Sequence, residues 1–383
     1  MAVTYVLEEI SPKVTPFVAS LKTLGDTRDN RGKRHDLDFV IASVVLAIMS
    51  GRSYASSIHR FIVHRIDWLC DILERPEAGP VSRAQLPRIL ESVEWNGLNE
   101  ITMAHFGVKI EVKGKEWHAL DGKTLRGIPG QKERVLLAVS HTERKIVAQK
   151  PMQGAKESEI TAVREMLRET GLEKGKSTLD ALHINPKTTK QVNLAGGLFV
   201  IQLKDNQPTL FGQMSQEAAE AVPLGTVKSA GKGHGRLEIR QATFFNVKHL
   251  KLDPRWDESG LNTLIVMSRR TTEIAKQKSS ADVSFYLSNA LLEQGDKQTQ
   301  QELFIAVRKH WSVESDNYIR DVSFKEDAVR TKNSNQGQVL ASLRTVAMRL
   351  FREAKISNFQ AALEKFSDCP EQFEIFLKQY GFL

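Results

Sequence analysis

From about residue 109, short apolar runs alternate with amphipathic stretches, and this order limits the possible folds more than any other feature of the chain. Extended runs are predicted at 108–112 and 116–121, and a polar turn joins two further runs, 134–140 and 145–150, into a predicted hairpin. A helix at 157–169 follows, because its apolar residues recur at helical spacing. The region 176–221 then predicts a strand, a helix, a second strand and a second helix. The fold class is therefore α/β.

This is the order of elements in a ribonuclease-H-like core. Asp121 is expected to end the first strand of that core, and Asp180 is expected to end the fourth. The two strands lie side by side in this topology, so the two carboxylates should meet at one edge of the sheet. Asp121 has a simpler interpretation as a turn residue, because Asp-Gly is a common turn signal.

The chain divides into four predicted segments. Residues 1–108 predict short helices joined by tight turns, which form either a helix-turn-helix DNA-binding domain or a small bundle for dimerisation. Residues 109–224 form the first part of the core, and residues 225–295 contain short β-like runs that predict an inserted β-rich segment. Residues 296–383 contain the final core helix, predicted at 298–320, and further C-terminal helices.

The predicted final helix supplies a third acid, Glu314. Four polar residues share one face of that helix, at spacings of four, three and four: His310, Glu314, Asn317 and Asp321. Glu314 is the preferred partner for the two aspartates, with Asp321 and Glu302 as alternatives. Three converging carboxylates make an oxygen-rich pocket for Mg²⁺ or Mn²⁺, and a pair of such ions supports phosphodiester chemistry.

Further polar residues are expected near this pocket, where they could contact a DNA backbone. Lys204, Asn206 and Gln207 follow the next predicted strand and should border the cleft. His183 follows the second aspartate, and it either positions a phosphate or caps the loop. Basic residues beyond the last core helix suit phosphate binding: Lys325, Arg330 and Lys332.

Charge and cysteine usage favour an anionic partner and a reducing compartment. The 383 residues carry a net charge of +8, and the isoelectric point is about 9.3. Cys70 and Cys369 are far apart in the sequence and form no disulfide or zinc pattern, which fits the cytosol. Residues 1–4 do not show the basic-then-apolar pattern of a signal peptide, so none is expected there, and the longest apolar stretch, 39–49, is too short to span a bilayer. We therefore expect a cytoplasmic protein with no membrane partner.

A set of short motifs covers nearly the whole chain: 26–28 with 32–35, 118–127, 156–160, 179–183, 204–208, 234–240 and 308–314. On these motifs the chain resembles bacterial insertion-sequence transposases of the DDE superfamily, in the H-repeat-associated (ISAs) group. Related transposases often carry Tyr, Arg and Lys around the glutamate, where this chain has Val307, His310 and Asp321.

The resemblance implies a ribonuclease-H-like catalytic domain, a β-rich insertion before the glutamate, and a helical N-terminal domain. The catalytic and metal-binding acids carry over as Asp121, Asp180 and Glu314, with two Mg²⁺ or Mn²⁺ ions as the cofactor. Double-stranded DNA is the implied partner, as terminal inverted repeats and as target. Polar members of the motifs are the implied DNA contacts: Lys123, Arg126, His183, Lys204, Asn206, Gln207, Arg236, Arg308 and His310.

The expected function is metal-dependent cleavage at element ends, followed by strand transfer into target DNA. Acting on two ends implies a homodimer or a larger assembly, which would work at the bacterial nucleoid. Two alternatives stay open. One is a ribonuclease-H-like nuclease without strand transfer, and the other is a transposase-derived protein that binds DNA without cutting it.

Overall fold

The computed structural model describes residues 15–106, 116–126, 134–152, 156–233, 235–331 and 333–383. The extended run expected at 108–112 lies outside these residues, as does Lys332. The chain divides into two compact units, Met1–Val108 with Ser323–Leu383, and Lys109–Val322. The segment expected at 296–383 is therefore shared between the units, because its later part packs with the N-terminal helices.

The α-helices of the described residues are α1 (Phe17–Leu21), α2 (Leu37–Met49), α3 (Ala55–His64), α4 (Ile66–Ile72), α5 (Gln85–Ser92), α6 (Trp95–His105), α7 (Lys156–Thr170), α8 (Pro186–Leu194), α9 (Pro208–Glu220), α10 (Lys297–His310), α11 (Ser312–Val322), α12 (Ser334–Glu353), α13 (Phe359–Asp368) and α14 (Pro370–Gln379). The strands are β1 (Trp117–Thr124), β2 (Arg134–Ser140), β3 (Ile146–Met152), β4 (Lys176–Leu179), β5 (Leu198–Leu203), β6 (Gly225–Gly233), β7 (Arg236–Asn246), β8 (Thr263–Glu273) and β9 (Lys278–Ser288). Within the described part of the chain, no helix combines the length and apolar character that a membrane span requires.

The core of the helical unit is built around α2 and α12. The apolar residues of α2 are all buried, and the helix ends just before Gly51, which adopts a left-handed φ of 77°. Helix α12 contacts α2, α5 and α6. Near its end, Phe351 packs against Phe359, Phe366 and Phe376 of the last two helices. The C-terminal helices thus complete a core that the N-terminal helices begin.

The other unit is organised around one nine-stranded sheet, in the order β3-β2-β1-β4-β5-β9-β8-β7-β6. Strands β1, β2 and β3 are antiparallel neighbours, whereas β4 and β5 run parallel to β1. The parallel pairing sets Leu120 beside Leu179, so Asp121 and Asp180 follow at neighbouring positions. The protein is therefore a mixed α/β structure in which the two acid-bearing strands are adjacent.

Both faces of the central part of the sheet are buried. Neighbouring residues of β5 alternate between two apolar clusters, with Val200 in one and Ile201 in the other. Helices α7, α8 and α9 supply Val163, Val192 and Met214 to the Ile201 cluster, and α10 supplies Leu303 and Phe304 among others to the Val200 cluster. Burial on both faces explains why the core strands read as continuous apolar runs in the sequence.

The β-rich region after α9 continues the same sheet. Strand β9 pairs antiparallel with β5, and β8, β7 and β6 follow in antiparallel order. The sequence predicts β-like runs at 236–245, 263–269 and 283–287 but none at β6. That strand is glycine- and lysine-rich, and as the edge strand it buries little, so it lacks the apolar alternation that marks a strand.

The single helix expected at 298–320 is instead two helices, α10 and α11, which meet at Trp311. A straight continuation would keep residues 311 and 314 on the buried face of Val307, at spacings of four and seven. Trp311 is 53% exposed instead, and α11 buries Val313, Asp316 and Arg320. The break changes the buried face, and it leaves the Glu314 side of α11 exposed.

Candidate active site

Asp121 lies at the point where β1 loses its pairing with β4. The parallel register ends at Leu120, while β1 continues to Thr124 in contact with β2. The expectation that Asp121 ends its strand is therefore wrong, because the hairpin partner extends the strand by three residues. Asp121 Oδ2 accepts a hydrogen bond from Asn317 Nδ2 of α11 at 3.1 Å.

The electrostatic surroundings of Asp121 show that acids converge here. Burial, together with the negative charges of Asp180, Glu159 and Glu314, raises the pKa of Asp121 from 3.8 to about 6. A hydrogen bond from the Gly122 backbone acts in the opposite direction. The charges of the other acids therefore disfavour the ionised form of Asp121.

Asp180 follows β4 directly and caps a short 3₁₀ helix, Ala181–His183. Its Oδ1 accepts the backbone N–H of Leu182 at 3.0 Å, and it lies 3.6 Å from His183 Nε2. The His183 side chain is almost fully buried, whereas the Asp180 carboxylate is 44% exposed. His183 therefore packs against the loop, and it has no surface from which to reach a phosphate.

Glu314 lies in the first turn of α11 and belongs to the same group. Burial raises the pKa of Glu314, the positive charge of Lys204 lowers it, and Asp180 raises it. Lys204 follows β5 and is exposed. The charge of Asp180 thus acts on both Asp121 and Glu314, and the charge of Lys204 acts on Glu314 as well.

The two alternative third acids are held by other partners. Glu302 accepts hydrogen bonds from Trp117 Nε1 at 2.8 Å and Lys176 Nζ at 2.6 Å. Those residues begin β1 and β4, so Glu302 belongs to the opposite end of the strands from Asp121. Asp321 pairs with Lys123 Nζ at 2.6 Å.

The donor set suits a hard divalent cation, because all three acids offer carboxylate oxygens. Within the described ranges, however, no three His, Cys, Asp or Glu side chains already stand close enough together to hold a metal ion. The acids lie at one edge of the sheet and interact electrostatically, but within the described residues they do not form a preformed metal site.

Two histidines support the strand beneath the site. Thr178 Oγ1 of β4 lies 3.0 Å from His141 Nε2 and 2.9 Å from His310 Nδ1. Burial lowers the pKa of His141 to about 3 and the pKa of His310 to about 4. Both rings are therefore uncharged near neutral pH. In the structure His310 contacts β4, whereas the resemblance implies that this residue contacts DNA.

The other predicted DNA contacts are dispersed. Asn206 and Gln207 donate to the backbone carbonyls of Ala181 and Ile184, at 2.7 and 2.9 Å, and so tie two loops together. Arg236 lies in β7 opposite Glu273. The remaining candidates fall into three groups: the exposed Arg126 and Arg308 of the sheet unit, the buried Lys123, and Lys325 and Arg330 of the helical unit.

Sequence reasoning misses Glu159 as a site residue. It lies in the first turn of α7, is only 5% exposed, and forms an ion pair with Arg134 of β2. The available signal is its spacing, because Glu159 precedes the buried Ala162, Val163 and Met166 by three, four and seven residues. An acid on the apolar face of a helix has to find a buried partner.

Comparisons with known proteins show what the chain is similar to. Residues 18–106, which contain α2–α6 and most of α1, match the family model described as DDE_Tnp_1-associated. "H repeat-associated putative transposase YhhI" of Escherichia coli K12 is 24% identical over 361 residues, which cover 90% of this chain and 92% of that protein. Over most of its length the chain is thus similar to an H-repeat-associated protein that is named as a putative transposase. "Putative transposase YncI" of Escherichia coli O157:H7 is 25% identical over 88% of this chain and 87% of its own length.

Proposed function

We propose that this chain is a metal-dependent DDE transposase that cleaves DNA at element ends and joins the released ends to target DNA. The observation that carries the proposal is that Asp121 and Asp180 follow neighbouring positions of the paired strands β1 and β4, and that the charge of Asp180 raises the pKa of both Asp121 and Glu314. The relatives support it, because the transposase names belong to proteins matched over most of their length. The order and direction of β1–β5 support a ribonuclease-H-like core for this unit.

The residues that would hold two Mg²⁺ or Mn²⁺ ions are Asp121, Asp180 and Glu314. Such ions, when bound, activate a water or a 3′ hydroxyl for attack and stabilise the departing oxygen. No covalent protein nucleophile is needed for this chemistry.

The surrounding residues prepare the carboxylates for that task. The Leu182 N–H orients Asp180, and the Asn317 amide orients Asp121. The exposed Lys204 stands beside Glu314, where its charge can hold a backbone phosphate at the site. The exposed side of α11 leaves room for DNA to approach Glu314.

A strand-transfer assay tests the proposal. Full-length protein is incubated with Mg²⁺, plasmid and pre-cleaved DNA carrying the ends of the element that encodes it. We expect products in which the 3′ ends are joined to the plasmid, and no products when Asp180→Asn replaces the wild type. Hydrolysis without joining, under conditions where the ends are bound, would leave the nuclease alternative. Binding without either product would leave the DNA-binding alternative.

A further inference from the structure

Glu159 is a buried acid that the proposed chemistry does not use. It lies in the first turn of α7 and is 5% exposed. Its Oε2 pairs with the Arg134 guanidinium. Its position is tightly defined, because a Cβ added at Gly122 would come within 2.7 Å of the Glu159 Cδ. Gly122 is therefore the residue that lets Glu159 reach the strand next to Asp121.

The other oxygen of Glu159 faces His183. Oε1 lies 3.8 Å from His183 Nε2, and the same nitrogen lies 3.6 Å from Asp180 Oδ1. These distances exceed those of hydrogen bonds, so the contacts are electrostatic. A series of contacts thus leads from the ion pair of Arg134 and Glu159 to the candidate site. Glu159 contacts His183, and His183 contacts Asp180.

Asp180 Oδ1 makes the contacts with Leu182 N and His183 Nε2, and Oδ2 enters neither of them. A carboxylate fixed through one oxygen presents the other in a constant direction. Buried partners of metal-binding groups commonly act in this way.

We propose that Glu159 is a positioning residue that acts through His183 to fix the Asp180 carboxylate at the candidate site. The inference rests on the proposed function, because the position of Asp180 matters for activity only if Asp180 binds a metal ion. Glu159 itself touches neither DNA nor the reacting atoms.

The test compares Glu159→Gln with Glu165→Gln in the full-length protein. Glu165 is a matched control, because it lies on the same helix and its ion pair within the described residues is with Lys150, at 2.8 Å, and involves none of the acids. Mg²⁺ affinity is measured by calorimetry, and end cleavage is measured as kcat and as KM for DNA. We expect Glu159→Gln to lose about tenfold or more in Mg²⁺ affinity and kcat, with KM nearly unchanged. Glu165→Gln should match the wild type.

A double-variant cycle tests the route through His183. If Glu159 acts through that ring, adding Glu159→Gln to His183→Gln causes little further loss of Mg²⁺ affinity. Additive losses overturn the proposal, as does a Glu159→Gln protein that equals Glu165→Gln in Mg²⁺ affinity and kcat. Should Glu159→Gln not fold, His183→Gln alone decides: unchanged Mg²⁺ affinity overturns the proposal, and a tenfold loss supports it. A wild type that binds no Mg²⁺ and cuts no DNA removes the proposed function itself.

Discussion

At the scale of single residues, the three acids have different surroundings and the same expected role. Asp121→Asn, Asp180→Asn and Glu314→Gln each remove a charged ligand while keeping side-chain size. Each should reduce end cleavage by about 100-fold or more, with DNA affinity largely retained. Cleavage of labelled end DNA and a gel-shift titration measure the two effects.

Glu302→Gln is the control for these variants, because its carboxylate contacts Trp117 and Lys176 at the far end of the strands. It should cleave like the wild type. Near-normal cleavage by Glu314→Gln, combined with loss of cleavage in Asp321→Asn, would show that the third ligand is Asp321.

The raised pKa of Asp121 predicts a stability effect with a definite sign. Its pKa rises from 3.8 to about 6 in the folded chain. Between about pH 4 and pH 6 the folded chain therefore binds a proton that the unfolded chain has lost. As pH rises through this window, that proton is released and stability falls.

At pH 8, Asp121→Asn should accordingly raise the free energy of unfolding of the metal-free protein by on the order of 2 kcal/mol. Its Tm should rise with it. The gain in stability should shrink towards pH 4, because the wild-type carboxyl is protonated there and is then as neutral as the asparagine amide. Added Mg²⁺ should raise the wild-type Tm more than that of the variant. Thermal melts over this pH range measure the effect, and equal Tm values at pH 8 would contradict it.

At the scale of elements, the outer halves of β6–β9 have two unlike faces. One face carries arginines paired with acids: Arg236 with Glu273, Arg240 with Glu238, and Arg269 with Asp282. The strand registers put Lys228, Lys232 and Arg270 on the other face, beside the exposed Leu237 and Ile239. We name the three cations of this second face the cationic face.

We expect the cationic face to contact DNA phosphates, because none of its charges enters an ion pair within the described residues. Replacing all three residues by glutamine should flatten the plot of log K against log salt by up to about 2.7, at about 0.9 for each phosphate contact. The control replaces Arg240 and Arg269, which pair with Glu238 and Asp282, by glutamine and should change the slope much less. Equal slopes for the two variants would rule out this contact.

At the scale of the whole molecule, the positive charge predicts steep salt dependence. A net charge of +8 on 383 residues favours release of counterions when the protein binds DNA. The affinity of the wild type for end DNA should fall by at least about tenfold between 50 and 200 mM salt. Asp180→Asn should show the same slope, because it changes the chemistry and leaves the phosphate contacts in place. A flat salt profile would argue against extended backbone contact.

The sequence by itself determined the order of the core elements and the neighbouring positions of Asp121 and Asp180. Both depend on local patterns, because apolar runs mark strands and parallel neighbours bring their ends together. Helices α2 and α12 were also readable, since dense or periodic apolar residues are local signals.

Only the tertiary structure decided which partners these residues meet. The break at Trp311, the edge strand β6 and the packing of α12 on α2 depend on contacts between residues far apart in sequence. Periodicity shows that a helix has an apolar face, and it does not show what covers that face. Glu159 is the clearest case: its role depends on Arg134 and His183, 25 and 24 residues away, which only the folded sheet brings together.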